Sequence, residues 1–111
     1  MAKANQNAPA NTGFDLAAMQ EHAGEASRLL KALANERRLQ VLCLLAGGER
    51  SVGEINGLLQ MSQSALSQHL AVLREKGMVE TRREAQTIYY SLAPGPGGAV
   101  METLYGIYCS P

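Results

Sequence analysis

Apolar and polar positions along this chain follow two rhythms, a helical one up to Gly77 and an alternating one just beyond it. Apolar residues fall at Leu16, Met19, Ala23, Ala26, Leu30 and Leu33, in steps of three and four. That spacing makes one stripe on a helix and predicts a first helix over about 15–33. Asn35 is a good N-cap for a second helix from Glu36 to Ala46, with Glu36 complementing the helix dipole and Gly47-Gly48 ending it. Ser51-Val52-Gly53-Glu54 reads as a capping box, in which the serine caps and the glutamate three residues later reaches back. It opens a short third helix through about Leu59. Gln60-Met61 is the predicted turn, and Ser62 caps a fourth helix from Gln63 to about Lys76, closed by Gly77. MVETRR and QTIYYSL then alternate and are rich in Val, Thr, Ile and Tyr, which predicts two strands with a turn at Glu84-Ala85. The turn lacks the Asn-Gly or Asp-Gly pair that marks the tightest hairpins. Pro94-Gly95-Pro96-Gly97-Gly98 breaks the chain. A last helix, about Ala99 to Cys109, places Val100, Met101, Leu104, Tyr105 and Tyr108 on one face.

The expected fold is therefore mainly α with a β-hairpin, in the order α-α-α-α-β-β-α. Two short capped helices joined by a tight turn and followed by a hairpin form a winged helix-turn-helix pattern. Residues 1–13 are rich in Ala and Asn and carry Pro9 and Gly13, so they read as a disordered tail before a single domain over 14–111.

Composition narrows the function classes. With 111 residues and 46% hydrophobic content the chain builds one small core, and a domain of this size gains from dimerisation. Its formal net charge is zero, so nucleic-acid binding has to rest on local basic groups. The longest run without polar side chains, VLCLLAGG, has eight residues, against about 20 for a spanning helix. The N-terminus lacks an apolar signal core, and a cytoplasmic location is the expectation. No Cys-x-x-Cys, catalytic Cys/His arrangement or phosphate loop is present, which argues against an enzyme.

The fourth helix carries the candidate chemistry. Leu66, Leu70 and Leu73 share one side and face inward. Gln63, Ser64, Ser67 and Gln68 make an uncharged polar surface near its N-terminal end, with Ser62 and His69 beside it. Glutamine pairs bidentately with adenine, serine reads base edges or phosphates, and the helix N-terminal amides favour phosphate. A plain solvated face is the alternative, but such faces usually carry Lys and Glu. In the hairpin, Arg82 and Arg83, with Gln86 and Thr87, are candidates for phosphate or minor-groove contact, an ordinary solvated turn being the other reading. Arg37 and Arg38 also stand as candidates to face a DNA backbone.

Cys43, in Arg38-Leu39-Gln40-Val41-Leu42-Cys43-Leu44-Leu45, and Cys109 are the two cysteines. Taken on the residues alone, Cys43 is either a core filler between Leu42 and Leu44 or a usable thiol, and packing is the favoured reading. Cys109 is expected to be the more exposed of the two. Two Cys, His22, His69 and Asp15 give too few suitably spaced groups for a closed zinc site, so no metal is expected.

The stretch from Ala32 to Leu92 resembles the ArsR/SmtB repressors. Their recognition-helix pattern Ser-x-Ser-x-x-Ser-x-His-Leu stands here as Ser62, Ser64, Ser67, His69 and Leu70, and Leu33-Ala34-Asn35-Glu36-Arg37-Arg38-Leu39 fits the entry to the second helix. LANERRLQVLCLL, SQSALSQHLAVLR, RREAQTIYYSL and the terminal Tyr-Cys are similar to the thiol-sensing branch that includes BigR, SqrR and HlyU. The resemblance implies a homodimer built on the first and last helices, reading a two-fold site on double-stranded DNA. It also implies that Cys43 and Cys109 form a sensor, which reactive sulfur species or oxidants link, directly or through a sulfur chain, so that DNA is released. The metal sites of other members are not matched: the third-helix Cys-x-Cys position is Ser51-Val52-Gly53-Glu54, and residues 97–111 hold neither Asp nor His. HlyU-like members act as activators by displacing a silencer, so the sign of regulation stays open. A winged-helix regulator without thiol sensing and a protein-interaction module are the alternatives.

Overall fold

The computed structural model describes residues 13–109. They run α1 (Leu16–Leu33), α2 (Glu36–Ala46), β1 (Arg50–Ser51), α3 (Val52–Leu59), α4 (Gln63–Glu75), β2 (Val79–Glu84), β3 (Thr87–Leu92) and α5 (Pro96–Tyr108). The fold is the expected winged helix-turn-helix, mainly helical with a small antiparallel sheet. The tail assigned to residues 1–13 lies outside the described residues except for Gly13. No described helix is long and apolar enough to cross a membrane.

The chain forms two units, dividing at Leu30/Lys31. In the first, the Asp15 carboxylate caps α1 by accepting from the Ala17 and Ala18 amides at 3.0 and 3.4 Å. Leu16, Met19 and Leu30 of the apolar stripe are between 57% and 60% exposed.

In the second unit each helix begins where its cap predicts. The Asn35 side chain accepts from the Arg38 amide at 3.0 Å. Ser51 and Glu54 make the reciprocal capping box at 3.1 and 2.8 Å, satisfying amides that would otherwise lack partners. Between α3 and α4, Gln60 adopts a left-handed conformation at φ +52° and its N–H closes on the Asn56 carbonyl at 2.9 Å. The Asn56 side-chain amide donates to the Met61 carbonyl. The Ser62 hydroxyl oxygen then accepts from the Ala65 amide at 3.1 Å and starts α4. These short-range bonds set the turn of the helix-turn-helix. Its core comes from Val41, Leu42 and Leu45 of α2, Ile55 of α3, and Leu66, Leu70 and Leu73 of α4. Each such side chain contributes about 1.5–3 kcal/mol on burial.

The structure departs from expectation in four places. A third strand exists: Arg50-Ser51 pairs antiparallel with Tyr90 and Tyr89, giving the order β1-β3-β2. Two residues are too few to show a period, so no alternation could announce it. The hairpin turn is Ala85-Gln86, one residue later than predicted, because Glu84 pairs with Thr87. Ala85 holds φ +55° there, a conformation glycine or asparagine would take more readily. The α4 helix ends at Glu75, with Lys76 as its C-cap and Gly77 at φ +72° following. Finally, α5 begins at Pro96 rather than Ala99. Proline suits a first helical position, since its missing N–H would be unpaired there anyway. Gly97 next to it packs closely on the core: a Cβ there would sit 3.1 Å from the terminal methyl of the buried Met78, which would have to give by a few tenths of an ångström.

Candidate nucleic-acid interface

The buried leucines of α4 dictate what its other side presents. With Leu66 and Leu73 fully enclosed and Leu70 nearly so, Gln63, Ser64, Ser67 and Gln68 are left exposed, together with the capping Ser62. The first turn of α4 carries no acidic residue. Its amides and the polar face therefore meet solvent without a carboxylate that would repel phosphate. His69 is half-buried at the edge of this face. Burial lowers its pKa, and the positive charges of Arg38 and Arg37 lower it further. Both effects favour the neutral ring.

The basic residues separate into engaged and available ones. Arg38 is half-buried and donates from Nε to the Ala32 carbonyl at 2.7 Å, tying α2 to the C-terminal turn of α1. Arg37 is exposed and donates to the Gln40 side chain at 2.8 Å.

The wing residues received the same expectation from sequence, yet the structure divides them. Arg83, Gln86 and Thr87 are exposed around the Ala85-Gln86 turn. Arg82 instead donates from Nε and Nη2 to the Glu49 carboxylate at 3.1 and 2.8 Å, and from Nη1 to Glu84 at 2.8 Å. Its guanidinium carbon lies 4.6 Å from the centre of the Tyr89 ring. The hydrogen bond from Arg82 holds the Glu49 carboxyl below its usual range, and the two carboxylates raise the Arg82 pKa further. Glu49 and Tyr89 were not singled out by sequence. Tyr89 could have been, since the hairpin register places it opposite Arg82. Glu49 lies 33 positions away and gives no local signal.

Cys43 is exposed rather than buried, which corrects the packing reading favoured by its neighbours. Val41, Leu42 and Leu45 use the core side of α2, and Cys43 turns away from it into a groove. That groove, about 640 Å³, runs between α2 and α5 and is lined by Cys43, Leu92, Gly98, Met101, Glu102 and Tyr105 among others. Cys109 caps the C-terminus of α5, its N–H donating to the Tyr105 carbonyl at 2.8 Å, and it too is exposed and free. It lies eleven residues beyond Gly98, and at ~100° per residue that returns it to within about 20° of the face that lines the groove.

A family model for bacterial regulatory proteins of the arsR family matches residues 35–81, the span from the α2 cap to β2. The transcriptional activator HlyU of Vibrio cholerae is 52% identical over 96 residues, covering 86% of this chain and 89% of HlyU. The chain belongs to the arsR family. It is a DNA-binding transcriptional regulator and not an enzyme. This regulator is also 50% identical over 96 residues to the biofilm growth-associated repressor of Agrobacterium fabrum, covering 86% of one chain and 82% of the other. The solved structure of reduced HlyU superposes with a TM-score of 0.78 at 54% identity, over 82% of the regulator and 96% of HlyU. The homodimeric winged helix-turn-helix DNA-binding domain Mb0332 of Mycobacterium bovis superposes with a TM-score of 0.71 at 33% identity, over 94% and 88% of the two chains.

Proposed function

We propose that this regulator is a repressor that binds a two-fold site on double-stranded DNA as a homodimer when reduced, and lets go when Cys43 and Cys109 become linked. The observation that carries the reading is the exposed Cys43 in the α2–α5 groove, with Cys109 continuing the α5 face that lines it. A buried thiol is inert, whereas an exposed one can react.

On DNA, α4 enters the major groove, with Gln63, Ser64, Ser67 and Gln68 at base edges and Ser62 and His69 beside them. Arg83, Gln86 and Thr87 of the wing meet the backbone or minor groove. Dimerisation uses α1 and α5. It is supported by the exposed Leu16 and Met19 on one and Ile107 and Tyr108 on the other, and by the homodimeric Mycobacterium bovis domain of the same fold. Tyr108, 80% exposed, is expected to anchor that interface. Tyr108→Ala should weaken self-association in sedimentation experiments by about tenfold, with the circular dichroism of the chain unchanged.

The inducer is a reactive sulfur species or an oxidant. With a peroxide, one thiolate takes an oxygen to become a sulfenic acid and releases the alcohol or water, and the second thiol then displaces water to form the disulfide. With a persulfide, the first thiolate takes the outer sulfur and releases a thiol, and the second displaces hydrogen sulfide. In both cases the two cysteines lose two electrons together and the inducer gains them. Joining α2 to the end of α5 changes how the dimer sets its two recognition helices, which must meet major grooves about one DNA turn apart.

The test is an anisotropy titration on the regulator's own upstream DNA, reduced and polysulfide-treated, with Cys43→Ser and Cys109→Ser alongside. Wild-type affinity should fall on treatment and both variants should hold on to DNA. Unchanged wild-type affinity removes the switch. Release by the single variants removes the two-cysteine mechanism. A second reading keeps the DNA site and reverses the sign, favoured by the 52% identity to an activator. Transcription from the target promoter with and without the gene decides between them.

A further inference from the structure

Arg82 has its guanidinium engaged within the sheet. It stands on β2 opposite Tyr89 of β3, and Tyr89 is in turn paired with Ser51 of β1. Its side chain passes over the Tyr89 ring and ends on Glu49, just ahead of β1. The Arg82 and Glu49 side chains together thus bridge from one edge strand over the central strand to the approach of the other edge, about two strand spacings. The contact with Glu49 is two-pronged, through Nε and Nη2, and Nη1 goes to Glu84 on the same face of β2. All three guanidinium nitrogens are therefore occupied. β1 has only two residues to pair with, so the ladder alone holds that edge weakly. Glu49 also follows Gly47 and Gly48, which leaves the approach to β1 with little side-chain packing of its own.

We propose that Arg82 is a positioning residue, a brace that Glu49, Glu84 and Tyr89 hold across the three-stranded sheet to set the wing, and that Arg83 alone of the pair serves as the phosphate contact. This rests on the reading of the wing as a DNA contact. The planar two-pronged grip on Glu49 is particular to arginine. A lysine keeps the charge a phosphate would need but cannot make that grip.

The experiment uses reduced full-length protein and combines a salt series of duplex binding with amide exchange of the wing. Arg83→Ala should lower the slope of log affinity against log salt by about one and leave wing exchange unchanged. Arg82→Ala, Arg82→Lys and Glu49→Gln should each speed exchange over residues 81–88 by about threefold to tenfold and weaken DNA binding with the slope unchanged. The Arg82→Ala/Glu49→Gln double variant should be no worse than either single one. The brace is overturned if Arg82→Lys binds and exchanges like wild type, if Arg82→Ala lowers the slope as Arg83→Ala does, or if Glu49→Gln tightens DNA binding by releasing a free arginine. Failure of the wing reading shows separately, as an Arg83→Ala variant whose salt slope does not change. The exchange rates of the Arg82 and Glu49 variants still judge the brace in that case.

Discussion

The helices α4 and α5 have the same length, 13 residues, and opposite construction. The first has a side-chain cap from Ser62 and three buried leucines along its inner side. The second has no side-chain cap, contains three glycines, and buries one residue, Met101. Beyond Met101 it runs past the core, with Tyr105, Ile107 and Tyr108 all more than half exposed. The proposed reading element has to hold its side chains in one geometry against base edges, and the cap and buried leucines of α4 suit that. The proposed roles of α5, lining the groove at Cys43 and offering its far end to a second copy, need the opposite, and α5 leaves both of those surfaces open. Local stability follows buried contacts, so the two helices should open to solvent at different rates.

The largest effect that tests this contrast is in the core. Leu66→Ala removes a fully enclosed side chain and should cost about 2–5 kcal/mol, read from denaturant unfolding of the reduced protein. Met101→Ala, on the edge of an existing groove, should cost at or below the bottom of that range. Equal losses would break the comparison. A smaller effect sharpens it. Gly106 lies inside α5, and a Cβ added there would meet open space, with nothing within 4 Å. Gly106→Ala should therefore stabilise the helix by about 0.5–1 kcal/mol. The check is slower amide exchange confined to α5, with α4 unaffected.

The smallest effect concerns pH. His69 has its folded pKa lowered by burial and by Arg38 and Arg37. Between that value and the ordinary one near 6.5, the unfolded chain binds more protons than the folded one. Stability is therefore full above about pH 6.5 and falls as the pH drops through the folded pKa. His69→Gln should flatten the dependence of unfolding midpoint on pH in that window. A wild-type midpoint that does not change there would remove the claim.

The local elements were legible because their determinants are local. Asn35, the Ser51/Glu54 pair and Ser62 cap helices through bonds no more than three residues long, and the leucines of α4 declare their side by spacing. The same holds for the alternation of the two wing strands. Short or irregular signals were not legible. The two-residue β1 has no period, and Pro-Gly-Gly reads as a break until Pro96 is seen at a first helical position with Gly97 against Met78. Cys43 and Arg82 show the remaining limit. Leucines beside Cys43 say nothing of which side of α2 it occupies relative to α5. Arg82 and Arg83 are the same residue type at adjacent positions, and alternation sends them to opposite faces of the strand. The sequence by itself determined the helix-turn-helix, the polar face of its second helix and the presence of two thiols. Only the tertiary structure decided that Cys43 opens into a groove and that Arg82 is held by Glu49, because both depend on what segments distant along the chain place beside them.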